Sequence, residues 1–195
     1  MKLLVFATEI EALPTIELLS ARSIDSHCYQ FEDGYLIITG MGICAAQYYV
    51  TKYLLQLDCA SVTNFGIVGA LNHSLQLGEI YEISTVDKYV PLPKTIDLES
   101  SHFLDITAPT LHLPGASRLL SSDYPIHDKK IKNALAQKWD LVDMEGYGVA
   151  YAAKSADKPL TICKVVSDFA SDGGRALLKR QIEECSWKLA KNVAV

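Results

Sequence analysis

With 195 residues, 49% of them hydrophobic and 21% charged, the chain is long enough for one domain with a sizeable core and too apolar to be disordered. Its formal net charge of −5 argues against a nucleic-acid or anionic-membrane binder, either of which needs a basic face. The five cysteines (Cys28, Cys44, Cys59, Cys163 and Cys185) form no C-x-x-C pair, so they read as reduced thiols of a cytoplasmic protein, not a disulfide framework or zinc site.

Lys2–Ala7 has the pattern of a buried strand; its apolar run, broken by Glu9 and Glu11, is too short for a signal-peptide core. Thr8 offers an N-cap for a helix through Ser20, with Pro14 within its first turns. Glu11 has two readings: a solvated first-turn carboxylate favoured by the helix dipole, or a carboxylate aimed into a crevice, able to act as a general acid or base. Ser26–Phe31 and Gly34–Thr39 predict a hairpin, and Gly40-Met41-Gly42 leads into a helix from about Ile43 to Leu57. Ser61–Val68 reads as a buried strand, followed by Gly69-Ala70-Leu71-Asn72, a Leu77–Ile80 turn and a strand over Tyr81–Val86. From Pro91 to about Gly115 the chain is irregular, with either a short strand near Thr110–Leu113 or a loop over the site. Leu119–Pro125 reads as strand into turn, Asp128–Trp139 as a short helix, Leu141–Asp143 as a short strand and Gly146–Ser155 as a helix. Thr161–Ser167 is the last strand, and Arg175–Ala194 a closing amphipathic helix. No apolar stretch reaches membrane-spanning length.

Strands alternating with helices at this pitch predict an α/β fold: a three-layer α/β/α sandwich about a central mixed, mostly parallel sheet, in one domain over residues 1–195. Open α/β sheets place ligands at the carboxyl ends of their strands. Two stretches fit that rule. In LVDMEGYGVA a carboxylate pair, Asp143 and Glu145, flanks Met144; in KVVSDFASDGG a β-branched run ends in Ser167 and Asp168. Asp143 is expected at the surface or capping a helix, since only one carboxylate of the pair is expected to face the crevice. Asp172 is expected to cap the turn before the last helix. His27, His73, His102, His112 and His127 show no metal-ligand spacing and read as loop histidines; His102 and Tyr89 are candidates to line a pocket. Cys44 and Cys163 read as small buried hydrophobes.

These segments resemble, in order along most of the chain, those of the nucleoside phosphorylase/nucleosidase superfamily, and within it the methylthioadenosine/S-adenosylhomocysteine nucleosidase branch, futalosine hydrolase-like variants included. MKLLVFATEIEAL resembles the family's first strand and acidic helix start, with Glu11 at the position of its catalytic acid/base. ITGMGICAAQ resembles its Ser-Gly-x-Gly segment, and NFGIVGAL with LQLGEIYEIS its Gly-rich strand end and Leu/Val-Gly-Asp-Ile turn. SSDYP resembles its base-binding Ser-Gly-Asp-x-Phe segment, and VDMEG and VVSDFASD its ribose and purine motifs.

The resemblance implies hydrolysis of an N-ribosidic bond without metal or cofactor. Asp168 would protonate the departing purine at N7, for which burial of its carboxyl would favour the acid form. Ser167 would orient Asp168, and Glu11 would activate the attacking water. Glu145 would accept hydrogen bonds from the ribose hydroxyls, Met144 would pack against the sugar, and Tyr124 would offer an aromatic face to the base. Two positions depart from the family: Ile67 stands where a Ser or Thr usually holds the water or phosphate, and Lys164 where the nucleosidases carry an Arg. A phosphate site with neither hydroxyl nor arginine is poorly equipped, which favours water as nucleophile. A phosphorylase of the same fold and a non-catalytic nucleoside- or nucleobase-binding protein stay open as alternatives. The family also implies a homodimer, a small nucleoside as partner, and no role for nucleic acid or membrane.

Overall fold

The apolar run that opens the chain is strand β1 (Lys2–Phe6) in the computed structural model, which describes residues 1–72, 74–90, 111–126, 128–170 and 175–193. Thr8 ends the strand and caps helix α1 (Glu9–Leu18) in a reciprocal box: its hydroxyl accepts from the Glu11 N–H at 3.4 Å, and the Glu11 carboxylate accepts from the Thr8 N–H at 2.9 Å. Next come β2 (Arg22–Ser23), unforeseen in the sequence, and the predicted hairpin of β3 (Cys28–Phe31) and β4 (Gly34–Ile38). Helix α2 (Ile43–Gln56) leads to β5 (Ser61–Ala70), β6 (Ile80–Lys88), β7 (Leu111–His112) and β8 (Ser117–Ser121). The chain closes with α3 (Lys129–Leu135), β9 (Leu141–Asp143), α4 (Gly146–Ser155), β10 (Leu160–Asp168) and α5 (Arg175–Val193). The short strand expected near Thr110–Leu113 is β7; residues 91–110, His73, His102, His127 and the Ser171–Gly174 turn with Asp172 lie outside the described residues.

The sheet is mixed. At its centre β4, β1, β5 and β10 run parallel, each strand buried beneath helices and therefore apolar on both faces. β5 runs two residues past the expected end at Val68, through Gly69 to Ala70, because its end finds two partners. Gly69 pairs with Val142 of β9 and with Asp168 of β10, so β5, β10, β6, β8 and β9 close into a ring. A side chain at Gly69 would press on Ala170, whose Cβ lies 3.0 Å from where a Cβ would stand.

Helices α2 and α4 pack together on one face and α1 with α5 on the other, which makes the three layers. Gly148 lets α2 and α4 meet: a Cβ there would stand 2.2 Å from the Ile43 carbonyl oxygen. Leu3, Val5, Ile37 and Val62 face α2 and α4, while Leu4, Phe6, Leu36 and Phe65 face α1 and α5, the alternation expected of strands.

Candidate active site

The capping box aims Glu11 inward. Its carboxylate is only 3% exposed: Oε2 accepts from the Thr8 N–H and hydroxyl, and Oε1 accepts from the Ile67 N–H at 3.1 Å. The solvated reading of Glu11 is therefore excluded; an acid in a first helical turn is bound over the end of β5. Ile67 gives the site its N–H, while its side chain packs towards Leu4, Phe6 and Phe65.

Lys164 stands beside Gly66 in the register of β10 and β5, is 1% exposed, and reaches Asp143 at 2.9 Å. Gly66 gives it room: a Cβ there would lie 3.0 Å from Lys164 Nζ and 3.4 Å from Glu11 Oε1. Burial works against the ammonium, but Asp143 and Glu145, with a further contribution from Glu11, outweigh it and raise its pKa.

Asp143 is not a surface carboxylate. It is buried and accepts from Ser121 Oγ at 2.6 Å and from the Gly146 N–H at 2.9 Å, so it caps α4 from within while binding Lys164. Nor does only one carboxylate of the pair face inward. Residues two apart in an extended chain share a face, and Asp143 and Glu145 both border Lys164. The Glu145 carboxylate is held through Oε1 by the Gly42 N–H at 2.9 Å, which is the task of the Gly-Met-Gly turn. Gly42 has φ 103°, a conformation that favours glycine. Burial, then the charge of Asp143, pushes the Glu145 pKa up to about 7 against the pull of Lys164 and the Gly42 N–H.

At the end of β10, Asp168 is half-buried, with one oxygen accepting from Ser167 Oγ at 2.8 Å and the other from the Ala170 N–H at 2.6 Å. Ala170 follows at φ 46°, a left-handed conformation for a non-glycine residue at a loop that carries a candidate acid. Met144 is half-buried between the paired carboxylates, and Tyr124, beyond β8, is 63% exposed. Tyr89 packs with Leu120, Ile126 and Trp139. Cys163 is half-buried, but Cys44 is exposed, on the outer side of α2 with Tyr48 and Leu55. His27 stacks on Tyr49 with ring centroids 4.2 Å apart and its Nδ1 lies 2.8 Å from the Ile38 carbonyl. Among the described residues no group of three or more His, Cys, Asp or Glu could hold a metal ion.

Sequence reasoning named Glu11, Glu145 and Lys164, which the fold brings together, and Ser167 and Asp168 farther along β10. It missed Asp143 as an interior group, Ser121, the bare surface of Gly66 and the N–H groups of Gly42 and Ile67. The i, i+2 spacing of the carboxylates was the available signal for Asp143; the backbone donors leave none.

No protein-family model matches the sequence, and no curated protein does. Solved structures match its fold over nearly the whole chain. A 5′-methylthioadenosine/S-adenosylhomocysteine nucleosidase from Helicobacter pylori, an Asp→Asn variant with 5′-methylthioadenosine in its active site, superposes with TM-score 0.83 at 17% identity, covering 99% of this chain and 96% of that one. The futalosine hydrolase of H. pylori strain 26695 gives TM-score 0.82 at 17% identity, over 99% and 95%. The nucleosidase from Neisseria meningitidis, in complex with methylthio-immucillin-A, gives 0.81 at 17% identity, over 99% and 96%. The chain thus has the three-layer fold of these nucleosidases.

Proposed function

We propose that this protein is a purine nucleosidase that hydrolyses the N-ribosidic bond of methylthioadenosine, S-adenosylhomocysteine or a related modified nucleoside. The observation that carries the reading is a single line of groups along β5. Lys164 and Glu11 stand over Gly66, Glu11 binds the Ile67 N–H, and Asp168 pairs with Gly69. From residue 66 to residue 69 an extended strand covers about 10 Å, the scale on which a sugar and a base lie side by side.

In this reaction water attacks C1′ from one face as the C1′–N bond breaks on the other. Glu11 takes a proton from the water, and Asp168, oriented by Ser167, gives one to purine N7. Water is thereby added across the bond, and solvent returns the proton from Glu11 to Asp168. Positive charge grows on the sugar as the bond breaks, and the carboxylates of Glu11 and Glu145 are held where they can meet it. Glu145 has a second oxygen for the ribose hydroxyls, Met144 lies beside it for the sugar, and the open ring of Tyr124 offers a face to the base.

Water is favoured over phosphate because the described arginine side chains are engaged elsewhere or remote. Arg118 is bound by Asp140, Arg180 by Glu184, and Arg22 lies on the edge strand β2. The apolar Ile67 supports a second reading, a nucleoside-binding protein without turnover. For a homodimer there is α2, which exposes Cys44, Tyr48 and Leu55 at helical spacing, with Met41 exposed just before it. Among the described residues no helix is long and apolar enough to cross a membrane.

The test is base release from methylthioadenosine, S-adenosylhomocysteine, futalosine, inosine and adenosine, with and without phosphate, by the protein and its Asp168→Asn variant. Phosphate-independent release that the substitution abolishes, with melting unchanged, is the expected result. Retained activity in Asp168→Asn overturns the assignment of Asp168, and release only with phosphate makes the protein a phosphorylase.

A further inference from the structure

We infer that Asp143 is a positioning residue: it sequesters the Lys164 ammonium, and so leaves Glu145 an oxygen free for the sugar. The inference rests on the nucleosidase reading and adds to it a role for a carboxylate that need not touch substrate.

Three buried carboxylates, Asp143, Glu145 and Glu11, border one buried ammonium, and the ammonium pairs with Asp143. Lys164 Nζ lies 2.9 Å from Asp143 Oδ2, with the two side chains 2% and 1% exposed. Asp143 cannot follow a moving partner, because Ser121 Oγ on β8 and the Gly146 N–H of α4 donate to it, and Ser121 Oγ is itself fixed by the Tyr147 N–H at 2.8 Å. The groups facing Glu145 are Asp143 from β9, Lys164 from β10, Glu11 from α1 and the Gly42 N–H before α2. Only the last donates a hydrogen bond to it; Oε2 has no hydrogen-bond partner among the described residues. Without the charge of Asp143, the nearest strong acceptors for the ammonium are Glu145 and Glu11. An ion pair with Glu145 would occupy the oxygen that two vicinal hydroxyls require, and a buried ion of this kind does not stay unpaired. Asp143 thus acts on the sugar through Lys164.

The experiment measures kcat and KM for base release across pH in Asp143→Asn, Ser121→Ala and the double variant Asp143→Asn/Lys164→Met. In Asp143→Asn, KM is expected to rise about tenfold or more while kcat stays within about fivefold. Removing a negative neighbour of Glu145 and turning an ammonium towards it both lower its pKa, so the acid limb of kcat/KM moves down by about one pH unit or more. The double variant, which has no ammonium left to occupy Glu145, is expected to bring KM back to within about threefold of the unsubstituted protein, with kcat low. If Asp143→Asn does not fold, Ser121→Ala decides: it keeps the charge, loosens its anchor, and is expected to raise KM about threefold or more. A fall in kcat with KM and the acid limb unmoved, or a double variant no better than the single one, overturns the inference. No release from any nucleoside by the unsubstituted protein overturns the nucleosidase reading, and this inference with it.

Discussion

Replacing Glu145 by Gln measures the cost of the charge assembled around Lys164. The ordinary value of a glutamate is 4.5, and in the folded protein burial and Asp143 hold Glu145 at about 7. Below 4.5 the folded and unfolded states both carry the proton, and Glu145 adds no electrostatic penalty. Between these values the folded state binds the proton more tightly, so stability falls as pH rises; above 7 both states are ionised and the loss is complete. At about 1.4 kcal/mol per pH unit, the interval corresponds to about 3 kcal/mol. Gln does not titrate and keeps an oxygen for the Gly42 N–H, so Glu145→Gln should match the unsubstituted protein near pH 4.5 and exceed it by about 3 kcal/mol at pH 8. For a chain of this length that is a Tm difference of about 6–12 °C, readable by thermal unfolding across pH. The same variant should release base poorly, having lost the acceptor for the ribose hydroxyls. A Tm difference that is flat with pH, or a variant less stable at pH 8, would refute the charge reasoning.

Lys164→Met leaves Glu11, Asp143 and Glu145 facing one another, and urea unfolding at pH 8 should show a loss of about 3–5 kcal/mol; a loss below about 1 kcal/mol would mean the carboxylates are neutral without it. Glu11→Gln keeps an oxygen for the Thr8 cap, so its stability cost should stay below about 2 kcal/mol while base release falls by about 10²-fold or more. Normal turnover in that variant would remove Glu11 from the chemistry. Leu55→Glu places a charge on the outer face of α2, where Leu55 is 83% exposed, and sedimentation should show the proposed homodimer of the unsubstituted protein replaced by a monomer. An unchanged sedimentation profile would put the interface elsewhere.

The fold was legible because its signals are local and repeated. The β-branched run of β10, the Thr8 cap and the alternating strands and helices each specify an element without help from distant residues. Where the reading failed, the answer lay in a partner far along the chain. β5 continues through Gly69 only because β9 and β10 both pair there, and Cys44 is exposed because α2 carries its apolar residues on two sides. The same division holds in the site. Glu11, Glu145 and Asp168 were visible as carboxylates in recognisable local settings. That Glu11 is bound by the Ile67 N–H and Glu145 by the Gly42 N–H depends on backbone groups, which every residue but proline has and no sequence pattern marks. Asp143 shows the limit most clearly. Its role is set by Lys164, 21 positions away, and by Ser121, 22 positions away in the other direction, and neither is close enough for a spacing rule to connect them. A charged lysine buried within the β-branched β10 calls for a carboxylate beside it, a need that shows only once Lys164 is seen to be buried. Glu145 alone could have met that need, but at the expense of the oxygen assigned to the sugar. In the proposed reading, the pair Asp143 and Glu145 divides the two tasks between two carboxylates.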